Sequence, residues 1–185
     1  MNTVVTSRET ILNMSLALIQ KQGFTAINIR TVAKACNISV GSIYNYFNSK
    51  TDLIAAIVES VWLDIFHFSE HKQTFDSFTS CVNWIFDNIK KGDEKYPGFF
   101  ALHAMSFVGE EKTGGQKLMA HSWKHMQENL YLVLMNDPNV RKGAFDENFT
   151  EKKFVGIIFS LIISGLLQQN YDCSGILTMI QRVIY

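Results

Sequence analysis

The chain has 185 residues, 47% of them apolar and only 18% charged, enough to bury one sizeable core or a small head joined to a larger body. Net charge is zero, so bulk electrostatics alone select no partner, but residues 1–55 carry five basic against two acidic side chains, net +3, and the remainder is −3. The polar start 1–8 lacks the apolar run of a secretory leader, and the most apolar stretch, 154–167, is shorter than the roughly 18–20 residues a bilayer span needs. The three cysteines, Cys36, Cys81 and Cys173, are isolated and odd in number. That pattern fits small buried apolar residues in a cytoplasmic protein better than a disulfide framework.

Proline is rare, and apolar residues recur at helical spacing throughout, so the whole chain reads as all-α, about nine helices. A first helix is expected over 7–22, with Thr6 or Ser7 as its cap and Gly23 ending it. Asn28 caps a short second helix ending near Cys36, and Asn37 tolerates the left-handed turn that follows. Ser39 caps a third helix over 40–46. Ser49 with Asp52 forms a capping box opening a fourth helix, which runs to about residue 71. Further helices are expected over 75–91, 97–108, 115–136, 147–170 and 174–184, with 92–96, 109–114 and 137–146 as connectors.

The informative block is 27–50, INIRTVAKACNISVGSIYNYFNSK. Val32, Ala33, Cys36, Ile38, Ile43 and Phe47 supply apolar groups that lock two short helices together across Asn37. The third helix is then short enough to enter the roughly 12 Å major groove of duplex DNA. Its remaining side chains suit that task. Ser39 and Ser42 offer hydroxyls, Asn45 an amide, Tyr44 and Tyr46 phenols, and Gly41 a close backbone approach. Lys50 opens the next helix, where an ammonium and backbone N–H groups can hold a phosphate, and Arg30 can reach a guanine edge or a phosphate. Read individually, Ser39 is also a helix cap, and the two tyrosines could pack as ordinary core.

This head resembles the DNA-binding domain of the TetR-type repressor family. The resemblance rests on Gly23-Phe24, Val32-Ala33-x-Ala35, and Ile38-Ser39-x-Gly41-Ser42-Ile43-Tyr44-x-Tyr46-Phe47-x-Ser49-Lys50-x-x-Leu53, and covers about a quarter of the chain. It implies a helix-turn-helix head over 1–50 and an effector-binding, dimerising helical bundle over 51–185. It also implies a homodimer on a double-stranded operator, released by a small-molecule effector. Contacts to bases or backbone fall by resemblance to Ser39, Val40, Gly41, Ser42, Tyr44 and Asn45. Phosphate contacts fall to Tyr46 and Lys50, with Arg30 as an occasional base contact. Thr31, Asn37 and Val40 depart from the usual pattern. Valine makes no hydrogen bond, but it can meet a thymine methyl.

In the body, the helix over 147–170 is apolar on nearly all sides, so burial on nearly all sides is expected. Phe154, Ile157, Leu161 and Leu167, with the small stripe Gly156, Ser160 and Ser164, are the expected dimer interface; the alternative is the centre of a monomer core. Trp62, Phe66, Trp84, Phe100, Phe107 and Trp123, with His103 and His125 as polar handles, are the expected lining of an effector cavity for an apolar or aromatic compound. His121, His125 and Glu128 share one helix face, a spacing open to a metal, but no HExxH accompanies them and no metal or other cofactor is expected. No nucleophile elbow, phosphate-cradling glycine loop or nucleotide fingerprint marks an enzyme. The competing expectation is a small-molecule or metal sensor whose head no longer reads an operator.

Overall fold

A computed structural model describes residues 6–66, 75–100 and 114–185, and among these every regular element is helical. Eight α-helices are delimited: α1 (Arg8–Gln22), α2 (Ile29–Ala35), α3 (Val40–Ile43), α4 (Lys50–Phe66), α5 (Phe78–Lys95), α6 (Gly114–Asn136), α7 (Glu151–Gln168) and α8 (Ser174–Ile184). They form two compact units, one of Met1–Ser69 with Gly92–Leu118, the other of Glu70–Lys91 with Met119–Tyr185.

The first unit follows its local signals closely. Ser7 caps α1 by accepting a hydrogen bond from the Thr10 N–H, and Gly23 ends it at φ 78°, a conformation glycine adopts without strain. Ile11, Ile19, Val32, Ile43, Phe47 and Leu53 are fully buried or nearly so, and hold α1 to α4 around one small core. At the end of α4, Trp62 stacks on Phe66 at 5.7 Å and meets Phe99 and Phe100 edge-on at 5.7 and 5.5 Å. Tyr96 is buried below them. Its hydroxyl donates to Asp64 at 2.7 Å and accepts from the Gln20 amide at 3.4 Å, while Phe24 N–H donates to the Pro97 carbonyl at 3.0 Å. Burial first, then the Asp64 carboxylate, raises the Tyr96 phenol well above its ordinary range, so it stays a proton donor.

One connector is corrected here. The expected break at 92–96 is helical through Lys95. Gly92 is there for contact rather than for a turn: a Cβ on it would lie 2.8 Å from Ile65 Cδ1 and 2.9 Å from Cγ1. Two other elements are shorter than expected. The helix after Ser39 is regular only to Ile43 and tightens into i→i−3 bonds at Tyr44, Asn45 and Tyr46. The long apolar helix starts at Glu151, capped by Thr150, because Asp146 turns the preceding chain by accepting from the Asn148 and Phe149 N–H groups. The fourth helix is seen to Phe66, and the expected extension to about 71 lies outside the described residues, as does most of the helix expected over 97–108.

In the second unit, Phe78 meets Phe154, and Phe145 and Phe149 pack on the same ring of α7. Asp137 supplies a cap from a distant loop. Its carboxylate accepts from the Phe78 N–H at 2.7 Å, the Asn139 N–H at 2.9 Å and the Tyr185 hydroxyl. Arg141 holds the same end of the chain through the Val183 and Ile184 carbonyls. The cysteines are free thiols, and burial pushes Cys81 up to about 12. Among the described residues, no helix is long and apolar enough to cross a membrane.

Candidate nucleic-acid interface

The candidate interface is built on α2, the turn at Asn37, α3 and the start of α4. Asn28 caps α2 by accepting from the Arg30 and Thr31 N–H groups, both at 3.0 Å, and the Thr31 hydroxyl accepts in return from the Asn28 N–H at 3.0 Å. Thr31 thus closes the box that an acidic residue often closes. Asn37 turns the chain at φ 54°, where the side-chain amide eases a left-handed backbone, and the Ile38 N–H returns to the Ala33 carbonyl at 3.0 Å.

This turn divides α3 and the tightened turn that follows it, through Phe47, into two faces. Ile43 is wholly buried and Phe47 nearly so, against Val32 and Ala33 of α2. Ser39, Val40, Gly41, Tyr44, Asn45 and Tyr46 are all exposed, Val40 by 36% and Tyr44 by 50%, and Ser42 is half-buried between the faces. Ser39 caps the helix through the Ser42 N–H at 3.0 Å, and the two hydroxyls lie 2.8 Å apart. A Cβ on Gly41 would meet only Ser39 Oγ, at an ordinary 3.6 Å. No packing among the described residues therefore demands glycine there; what it leaves is bare backbone on the exposed face.

Arg30 is exposed at the start of α2 and Lys50 at the start of α4. Asp52 accepts from the Asn48 N–H at 2.8 Å and Ser49 from the Asp52 N–H at 3.0 Å, a capping arrangement displaced by one residue from the usual box. Tyr46 has a partner that the sequence did not signal: its hydroxyl donates to the Thr6 carbonyl at 2.7 Å, so it ties the start of α1 to α3. Arg8 also belongs to this region, its guanidinium 5.3 Å from the centre of the Phe47 ring. A cation 19 residues ahead of the 27–50 block carried no spacing signal.

The residues expected around an effector are divided between the two units. Trp62, Phe66 and Phe100 share the aromatic cluster of the first unit, and there the Trp62 indole N–H is buried with no acceptor among the described residues. Trp84 meets Phe75, and Trp123 meets Phe159, both within the second unit. His125 is exposed on α6, its Nδ1 3.6 Å from Glu128. His103, Phe107 and the His121 side chain lie outside the described residues, and among those described no group of side chains could hold a metal.

The expected dimer face of α7 also divides. Phe154 is spent inside the unit's own core. Ile157 (46%), Ser160 and Leu167 (50%) are exposed, Leu161 and Ser164 are half-buried, and nothing lies within 4 Å of where a Gly156 side chain would begin. Within the single chain one face of α7 is buried, Phe154, Val155, Ile158, Phe159, Ile162 and Leu166, and a second apolar face is uncovered.

Residues 11–57 match the family of bacterial regulatory proteins, tetR family. The transcriptional repressor KstR of Rhodococcus jostii is 41% identical over 49 residues, which are 26% of this chain and 23% of that protein, so the chain's match spans about a quarter of that relative's length. A TetR transcriptional regulator from Legionella pneumophila is 25% identical, with TM-score 0.61 and full coverage of both chains. The regulator FadR from Bacillus subtilis, solved with stearoyl-CoA, shares the fold at TM-score 0.66 and 14% identity over 94% of this chain and 95% of that one. The head thus carries the motif of the tetR family over residues 11–57, and the fold along the chain is like that of these solved regulators.

Proposed function

We propose that the chain is a sequence-specific DNA-binding transcriptional regulator, a repressor released from its operator by a small apolar or aromatic effector. The observation that carries the reading is the polarity of α3: a buried apolar pivot, Ile43 and Phe47, under an exposed face of Ser39, Val40, Gly41, Tyr44 and Asn45. Ser39, Tyr44 and Asn45 reach base edges, Val40 takes a thymine methyl, and Gly41 and Ser42 bring the backbone close. Arg30, Lys50 and Tyr46 hold phosphates, Tyr46 exchanging its bond to Thr6 for one to the duplex.

The head is assigned to 1–50, and effector binding with dimerisation to 51–185. Two heads about one helical turn apart, roughly 34–36 Å, match a two-fold dimer on a palindromic operator. The uncovered face of α7, Ile157, Ser160, Leu161, Ser164 and Leu167, is apolar and small enough to meet its own copy. The effector enters at the aromatic cluster of Trp62, Phe66 and Phe100, where the buried Trp62 N–H has no acceptor among the described residues, a site that a ligand acceptor would satisfy. A TetR-fold protein solved with stearoyl-CoA shows that such a fold accepts a long apolar ligand. The compartment is the cytoplasm, where the operator is, and no catalysis is assigned.

The test is a gel-shift titration with the DNA upstream of the chain's own gene. Salt-sensitive, sequence-selective binding is expected, lost on Tyr44→Ala or Lys50→Ala with the helical circular dichroism unchanged. Equal affinity for unrelated DNA, or variants that bind as the parent does, would reject the reading.

A further inference from the structure

A groove on the second unit is lined by none of the residues assigned above to DNA, to the aromatic cluster or to the dimer face. It encloses about 570 Å³ between α6 and α7 and opens to solvent. That volume is in the range of small-molecule sites, roughly 300–1,000 Å³. Tyr131, Leu132 and the buried Val155 give it an apolar wall, while Lys124, Glu128 and Lys152 supply its charge.

The charges are unequally matched. Lys124 lies 3.8 Å from Glu128, and Glu128 is also 3.6 Å from His125 Nδ1. Lys152 has no carboxylate within ion-pair distance among the described residues; its ammonium stands 5.7 Å from the centre of the Tyr131 ring. Two lysines against one glutamate leave the groove net positive. A cation would face both ammonium groups, and the Tyr131 ring that could attract it already carries Lys152. Leu132, more than half exposed, offers contact to an apolar body.

From this geometry we infer that the groove between α6 and α7 binds a small organic anion with an apolar or aromatic body. Its carboxylate, or a like group, lies on Lys152, the Gln127 amide donates a second hydrogen bond, and its ring or chain lies along Tyr131 and Leu132. The groove is not the dimer face seen from another angle. At 100° per residue, Val155 points roughly 120–180° around α7 from Ile157, Ser160, Leu161, Ser164 and Leu167, and Lys152, near the helix start, roughly 60–180°. Binding here stands independently of the regulator reading, and only a role as an effector site rests on it.

Calorimetric titration of the full chain with three probes of one shape tests the inference: 2-naphthoate, 2-naphthylmethanol and 2-naphthylmethylammonium. The expected result is one naphthoate per chain, bound roughly fivefold more tightly than the alcohol at low salt, the value of one modest polar contact, with the ammonium weakest. The gap closes as salt is raised. Lys152→Met removes the gap and leaves the alcohol unchanged. Lys124→Met narrows it less, and gives a second reading should the first variant fold poorly. The inference is overturned if naphthoate does not bind, if it binds no better than the alcohol, or if the gap survives Lys152→Met. It is equally overturned if binding weakens as protein concentration rises, which would show a second copy covering the groove. Gel shifts on the same samples read DNA binding separately, so loss of one result does not hide loss of the other.

Discussion

Helices α3 and α7 each leave one face uncovered, but with different chemistry. On α3 the bare face is serine, tyrosine and asparagine around a glycine; on α7 it is isoleucine and leucine around glycine and serine. The first is content in water and suits a hydrated, hydrogen-bonding groove. The second keeps apolar area in water at roughly 25 cal/mol per Å², and only another apolar surface relieves that. On the proposed reading the two faces therefore wait for different partners, nucleic acid for α3 and a second copy of the chain for α7.

The sharpest way to break this contrast is to attack the buried side of α3. Phe47→Ala removes a ring that is only 1% exposed, and a stability loss of about 3–5 kcal/mol is expected in urea unfolding. A loss near that of a surface change would show that the head lacks the pivot described. Next is the uncovered face of α7. Ile157→Glu with Leu167→Glu should yield monomers in sedimentation, with helicity retained, because charges at a paired apolar face are desolvated without partners. A dimer that survives both moves the interface elsewhere.

A smaller effect is expected at Gly92→Ala, about 1–3 kcal/mol, since the added methyl overlaps Ile65 despite alanine's better helix propensity. Tyr44→Ala should separate the two roles of α3: stability within about 0.5 kcal/mol of the parent, and operator affinity down by about tenfold, as for one lost base-edge contact.

The smallest expected effect depends on pH. Burial alone would raise the Asp137 carboxyl, but hydrogen bonds from Tyr185, Phe78 and Asn139 outweigh it and hold the group below its ordinary value. A carboxyl lowered in the folded state stabilises the fold above its unfolded value, about 3.8, and that contribution is lost as pH falls through the lower, folded value. Asp137→Asn should therefore cost about 1 kcal/mol at pH 7, and the difference from the parent should shrink below pH 4. A difference that stays constant to pH 3 would assign the cost to geometry rather than charge.

Much of the head was legible because its instructions are local. Ser7, Asn28 and Ser39 cap helices that begin one residue later, and Asn37 turns where its side chain eases the backbone. Capping and turn chemistry act over three or four residues, so a string of letters contains them whole. The exposed face of α3 was legible for the same reason, since Ile43 and Phe47 are one turn apart and leave the other positions outward. Gly92 was misread as a break because its partner, Ile65, is 27 positions away, and the same letter serves a turn or a close contact. Tyr46 could not show its bond to Thr6, nor Arg8 its place over Phe47, because α1 is brought to α3 only by packing.

The amino-acid order by itself determined an all-helical chain, the positions of its caps, and a basic head with a motif suited to DNA. Packing alone decided that the aromatic residues of the body are shared between the two units, that α7 leaves one apolar face uncovered in the single chain, and that Lys152 stands beside Tyr131 over an open groove. The physical reason is one of range. Hydrogen bonds within a helix and its caps join near neighbours along the chain, whereas burial and charge pairing join residues that only the closed fold makes neighbours.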